Sequence, residues 1–264
     1  MYPLTREDAR KRSRSVDLGH VDVHVDLSGG PDLDEATYPV VSELTLTTSA
    51  PELVVDLVGA VESVALDGSA HPFDHDGQRL TLAGLPLGIQ IRVRIAARCA
   101  YPRTGEGLHR YRDPEDGCTY LYTQFEPNDA HRAWPCLDQP DVKPTWTFHV
   151  VAPEGWTVTS NGAARALVPL PGATGLVRHD FATTPPLSAY ITALVAGQWA
   201  VVDGGVWEGG ASGPGADGRR VEVPLRLMCR QALAPSMDAE DILEVTRAGL
   251  DHYHRHYGTT YPWG

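Results

Sequence analysis

A chain of 264 residues with a formal net charge of −12, 42% hydrophobic and 21% charged residues, is long enough for one large or two small domains with a packed core. No apolar run approaches the roughly 18 residues of a membrane span, the richest stretch being residues 190–202. The acidic balance argues against nucleic acid or an anionic membrane as partner, because both call for basic stripes. A basic cluster at Arg10, Lys11, Arg12 and Arg14 is followed by no apolar h-region, so no secretory signal is expected and the expected compartment is the cytoplasm. Cys99, Cys118, Cys136 and Cys229 form no CxxC pair and no zinc-ribbon spacing, and are expected to be reduced and mostly buried.

In chain order, most of the sequence reads as β. Val21, Val23, Val25 and Leu27 alternate with polar residues at the period of a half-buried strand. Leu44 and Leu46, then Leu53, Val55 and Leu57, repeat the pattern, and a turn at Leu66-Asp67-Gly68 separates Val64 from a strand around Leu80 and Leu82. Ile89, Ile91, Val93 and Ile95 place four apolar side chains on one strand face. Residues 105–143 break the alternation and are expected to fold as loops crossing one end of a sheet. Further strands are expected at 120–122, 146–151, 177–181, 191–202 and 221–227, with a Gly-rich surface loop over 204–218. With 26 glycines and 21 prolines, this density of short strands indicates an antiparallel sandwich or multi-sheet β domain. After Pro235 the period becomes helical: Ile242, Val245, Gly249 or Leu250, Tyr253 and Tyr257 share a face, acids cluster at Asp238, Glu240 and Asp241, and Gly258 supplies a C-cap.

Reactive residue types are densest between residues 105 and 143. They include Arg110, Gln124, Glu126, Asp129, His131, Arg132, Asp138 and Asp141. Loops over the end of a sheet are common binding locations. Glu126, beside Gln124, has the chemistry to receive a ligand ammonium through charge-assisted hydrogen bonds. Mutual pairing of such residues within a scaffold accounts for the same composition. Metal chemistry finds little support. His252 and His256 stand four apart but lack the intervening Glu of His-Glu-x-x-His, with Tyr253, His254 and Arg255 between them. His20 and His24 flank a strand face with no third ligand nearby in sequence, so no metal site is expected in this chain.

Three runs in the same region carry a resemblance: Gly-Leu-His-Arg-Tyr-Arg-Asp-Pro from Gly107, Tyr-Leu-Tyr-Thr-Gln-Phe-Glu-Pro from Tyr120, and Trp-Pro-Cys-Leu-Asp-Gln-Pro-Asp from Trp134. Together with Leu-Thr-Arg-Glu-Asp-Ala-Arg from Leu4 and segments at 152–161, 184–197 and 229–264, they make the sequence resemble the aminopeptidase N family of zinc metallopeptidases in its actinobacterial form, over essentially the whole chain. The resemblance implies a mostly β, saddle-shaped, multi-sheet antiparallel N-terminal domain over residues 1–233. A C-terminal helix and tail over 234–264 would then lead toward a thermolysin-like catalytic domain. Neither that domain's Gly-x-Met-Glu-Asn motif nor its His-Glu-x-x-His zinc site occurs here, so the zinc belongs outside these residues. By the same resemblance Glu126 grips the α-amine of a peptide N-terminus and Gln124 lines the first side-chain pocket. Ala133, Trp134, Leu137 and Pro144 depart mildly from the family pattern.

The leading expectation is therefore an aminopeptidase N-like N-terminal domain with part of a substrate site and no peptidase activity of its own. Its ligand would be a peptide N-terminus or a small amine. Two alternatives stand beside it. One is a metal-free enzyme using Glu126, Asp129, His131 and Asp138 as acid and base. The other is a protein- or peptide-binding module. If the chain is part of a larger protein, an apolar face around Tyr253, Tyr257, Tyr261 and Trp263 is expected to be exposed; a stand-alone protein is expected to cover it by dimerisation or with a partner.

Overall fold

The computed structural model describes residues 4–212 and 216–262, so Trp263 and part of the expected 204–218 loop lie outside the described residues. The chain divides into two compact units, one comprising residues 1–113 and 119–197, the other residues 114–118 and 198–264. The fold is mostly β, in several sheets, with a helix near the C-terminus, as expected.

The first unit opens with helix α1 (Arg6–Ser15), where the sequence showed only a basic cluster. Its start signal is local: the Thr5 hydroxyl, at the N-cap, accepts from the Asp8 amide at 3.1 Å and donates to the Asp8 carboxylate at 2.7 Å. Strands β1 (Val16–Asp26), β2 (Thr37–Thr48), β3 (Glu52–Asp56), β4 (Ala60–Leu66), β5 (Ser69–Ala70), β6 (Asp74–His75), β7 (Arg79–Ala83) and β8 (Gln90–Ala100) follow. Then come β9 (Gly107–Arg112), β10 (Thr119–Gln124), β11 (Thr145–Pro153), β12 (Thr157–Ser160), β13 (Ala164–Pro169), β14 (Leu176–Phe181) and β15 (Leu194–Gly197).

An eight-stranded sheet has the order β13-β14-β11-β1-β2-β8-β4-β5. A four-stranded sheet runs β12-β15-β10-β9, and a three-stranded one β3-β7-β6. All pairings are antiparallel except β1 with β11, which is parallel and sets His24 against His149. The turn at Asp67-Gly68, with φ of 48° and 83°, closes the β4–β5 hairpin directly, short of the Leu80 strand that alternation alone anticipated. Ile89 precedes β8 and is exposed, whereas Ile91, Val93 and Ile95 are buried as expected. Cys99 and Cys136 are buried; Cys118 and Cys229 are only half-buried.

Inward residues of these sheets form one core. Trp134, Trp146 and Phe148 are each at most 1% exposed, and Phe125 packs edge-on against Trp134 with ring centroids 5.0 Å apart. Charged groups also enter this interior, and Arg12 and Asp56 form an ion pair there. Arg12 donates from Nη1 and Nη2 to the two Asp56 carboxylate oxygens at 2.7 and 3.0 Å, with the side chains 7% and 11% exposed. The same carboxylate accepts from the Asp138 amide at 3.0 Å, and the Asp56 backbone exchanges bonds of 2.9 and 3.2 Å with Cys136. Helix α1 is also held by Gln139 Nε2, which donates to the Ala9 carbonyl and to Ser13 Oγ at 3.0 and 2.7 Å.

The second unit holds β16 (Ala200–Gly209), β17 (Val221–Cys229) and helix α2 (Ala239–Tyr257). Strand β16 reaches Gly209, so the expected loop begins only after it. Helix α2 has the expected ends: Asp238 caps the Asp241 amide and Gly258, at φ 64°, is the left-handed C-cap. Leu243 and His254 are buried; His254 packs on the Trp207 ring at 4.7 Å, while Trp207 Nε1 donates to Asp251 at 3.1 Å. Ile242, Val245, Tyr253 and Tyr257 face outward, Val245 and Tyr257 at 70% and 75% exposure. A β-hairpin with one large aromatic at its centre accepts the stripe that complements Trp207, and this decides the orientation. Among the described residues no helix is long and apolar enough to cross a membrane.

Arg12→Ala is expected to lower unfolding free energy by about 3–5 kcal/mol, because it strands a buried carboxylate. Arg92→Ala, which removes an exposed 3.9 Å contact to Glu43, is expected to cost less than about 1 kcal/mol. Urea denaturation of both variants checks the contrast.

Candidate functional site

The run expected as loops is in part a hairpin. Strands β9 and β10 pair from Arg112–Thr119 to Gly107–Gln124, and β15 joins the other edge of β10. Gly197 permits this approach: a Cβ there would lie 2.4 Å from the Thr119 carbonyl oxygen. Alternation at the end of β10 then sets the site. Gln124 points outward, Phe125 is buried in the core, and Glu126 points outward again, beside a cis Glu126–Pro127 peptide bond. Among the described residues neither the Gln124 amide nor the Glu126 carboxylate makes a hydrogen bond or ion pair.

The other candidate residues are engaged. Asp129 accepts from Arg132 Nε at 2.6 Å, and Arg132 also reaches Glu106 at 3.6 Å. His131 and Asp138 do come together, Nδ1 to Oδ2 at 2.7 Å, but their side chains are only 9% and 5% exposed. The His131 amide also donates to that carboxylate, the His131 carbonyl accepts from Val58 N, and the Asp138 amide donates to Asp56. A small cavity touches Asp56, Arg79, Asn128, His131 and Asp138; Gln124 and Glu126 do not line it. The remaining polar residues also brace the fold. Arg110 lies 4.2 Å over the Tyr101 ring and donates to the Asp32 carbonyl at 2.8 Å. Asp141 accepts from Ser13 at 2.6 Å and from Gln139 at 2.8 Å.

Sequence spacing misjudged one histidine. His24 has ligand-type neighbours after all: Asp22 two residues earlier on the same strand face, and His149 across the parallel β1–β11 pairing. No local sequence signal joins positions 125 residues apart. Helix α2 does not fit a zincin site. His252 and His256 stack on each other at 3.9 Å with no carboxylate between them, and His254 turns Nδ1 to the Leu250 carbonyl at 2.6 Å while Nε2 accepts from the Tyr261 amide at 3.0 Å.

Residues 61–191 match the family model described as the peptidase M1 N-terminal domain. The chain is 40% identical over 98% of its length to an aminopeptidase N of Streptomyces lividans, of which it covers 29%. An aminopeptidase N of Acetobacter pasteurianus is 33% identical over 54% of this chain, which covers 35% of that protein. The aminopeptidase N of Oryctolagus cuniculus is 27% identical over 53%, with 13% of that protein covered. The chain thus spans about a third or less of these relatives, and Gln124, Glu126, His131 and Asp138 all lie inside the matched domain.

The hairpin carrying Gln124 also carries a titrating group. Burial holds the His109 imidazole below its usual value of 6.5, and its Nδ1 accepts from the Gly105 amide at 3.1 Å. The native imidazole takes up its proton only at lower pH than the unfolded one, so its contribution to stability is present above pH 6.5 and is lost as pH falls through the lowered native value. The difference in melting temperature between wild type and His109→Phe is expected to shift in favour of Phe as pH falls from 7.5 to 5. A pH series of thermal melts on both proteins checks the sign.

Proposed function

This chain belongs to the peptidase M1 N-terminal domain family, and from that premise we propose that Gln124 and Glu126 form the amine-gripping edge of an aminopeptidase-type substrate site. The observation that carries the reading is the unpartnered Glu126 carboxylate, exposed on a strand end whose intervening residue, Phe125, is anchored in the core. A carboxylate already spent on a neighbouring arginine, as Asp129 is, has little left for a ligand. Glu126 has its full acceptor capacity, and Phe125 fixes its direction without using that capacity.

Within these 264 residues the role is binding. The sequence holds neither Gly-x-Met-Glu-Asn nor His-Glu-x-x-His, so no hydrolytic step is assigned to its side chains. His131 and Asp138, the strongest acid–base pair by type, serve the scaffold in this reading. Each is nearly closed to solvent, and together they tie the segment after Glu126 to Asp56. The ligand chemistry is a free α-ammonium next to an uncharged amide, as in a peptide N-terminus or an amino-acid amide. One charge-assisted hydrogen bond is worth about 1.5–3 kcal/mol, below the roughly 4 kcal/mol of a 1 mM complex, so these residues alone bind in the millimolar range.

The test is leucine amide titrated against the labelled protein by NMR. Expected are millimolar shift changes centred on Gln124 and Glu126, absent with N-acetyl-leucine amide and abolished by Glu126→Ala. Because Glu126 holds no internal bond, that variant is expected to melt within about 1–2 °C of wild type, in line with exposed substitutions. Equal shifts with the acetylated compound, or full binding by Glu126→Ala, overturn the reading.

A further inference from the structure

We propose that Asp22, His24 and His149 form a site for a divalent transition-metal ion of the imidazole-preferring class, such as Zn²⁺ or Ni²⁺, on the outer face of the eight-stranded sheet. The site is separate from Gln124 and Glu126, and two of its three ligands precede the region matched by the family model.

The parallel β1–β11 register sets His24 directly beside His149, and Asp22 shares the face of His24 by strand alternation. One atom of each residue converges: Asp22 Oδ1 lies 2.9 Å from His24 Nε2 and 3.6 Å from His149 Nε2, and all three lie within 4.8 Å of one another. Metal–ligand bonds of 2.0–2.1 Å in a tetrahedron place neighbouring donors ~3.3 Å apart, so the two Asp–His separations bracket the spacing a shared ion imposes. Asp22 Oδ1 is closed to solvent and, despite these short contacts, receives no aligned hydrogen bond. The two imidazoles stack at 4.6 Å with planes 13° apart, so both rings lie beside the Asp22 carboxylate.

A second shell is already built. His149 Nδ1 lies 2.5 Å from Asp180 Oδ1 on the neighbouring strand β14, and Asp180 is clamped by Arg178 through Nε at 2.8 Å and Nη2 at 3.0 Å. A carboxylate on Nδ1 selects the tautomer whose Nε2 is a bare donor toward Asp22, the arrangement by which metal-binding histidines are oriented. Access matches the chemistry. The His24 side chain is 53% exposed and that of His149 22%, so an ion arrives from solvent against a backed ligand. Pro39, Val41 and Val151 line the shallow depression beside them. Three protein donors leave a fourth position for water.

The experiment is calorimetric titration of the purified chain with Zn²⁺ and, separately, Ni²⁺. Expected is one ion per chain, with affinity reduced at least tenfold in His24→Gln and in His149→Ala. Asp180→Asn, which removes no ligand, is expected to weaken binding about 10- to 100-fold while keeping the stoichiometry. The double variant His252→Ala/His256→Ala, which removes the other histidine pair, is expected to bind as wild type. His24 is exposed on a strand face, so His24→Gln keeps the fold, and a far-UV spectrum matching wild type checks this. The proposal is overturned if neither ion binds below 1 mM, if His24→Gln binds as wild type, or if only the His252/His256 variant loses the ion.

Discussion

The Arg12–Asp56 pair is the constraint from which the arrangement of the first unit follows. Its two bonds, inside a low-dielectric interior, join a helix at residues 6–15 to strand β3. Through the remaining capacity of the same carboxylate it holds the Asp138 amide, and Asp138 in turn holds His131. A buried carboxylate needs every lone pair occupied, so one ionic contact fixes a chain of neutral ones. The segment from Phe125 to Val142, which has little regular structure of its own, is stretched between this network and the aromatic core at Trp134. Glu126 is therefore presented on rigid backing although it lies beyond the end of a strand.

Each candidate site of this unit comes from strand alternation read on its polar side. The residue between Gln124 and Glu126 is Phe125, and the one between Asp22 and His24 is Val23; both are buried. Such placement keeps these polar groups out of the core and anchors them by an apolar neighbour on each occasion. The difference lies in what the outward groups meet. Glu126 meets solvent, whereas His24 meets a second strand whose own outward residue is a histidine. Parallel pairing brings this about, since β1 and β11 are far apart in the chain and join only through the completed sheet.

In the second unit, the more apolar stripe of the helix is not the one that packs. Helix α2 carries two stripes. The more apolar one, through Ile242, Val245, Tyr253 and Tyr257, faces outward, and the one with Leu243, Asp251 and His254 meets Trp207. Period and composition found the helix and both of its caps. Packing against a small hairpin is decided by shape and by the Trp207 indole N–H, which needs an acceptor and finds Asp251.

By itself the sequence determined the β character, the buried alternate residues of β1, β2 and β8, and the closing helix with its Gly258 cap. These are properties of short stretches, where period, caps and turn chemistry act within a few residues. The Thr5 N-cap of α1 is equally local, a threonine three residues before an acid. Only the tertiary structure decided that Arg12 goes inside, that His131 and Asp138 brace the scaffold, and that His24 lies against His149. Each depends on a partner between 7 and 125 positions away, set by sheet order and by the need to satisfy buried charge, and no local period encodes those distances.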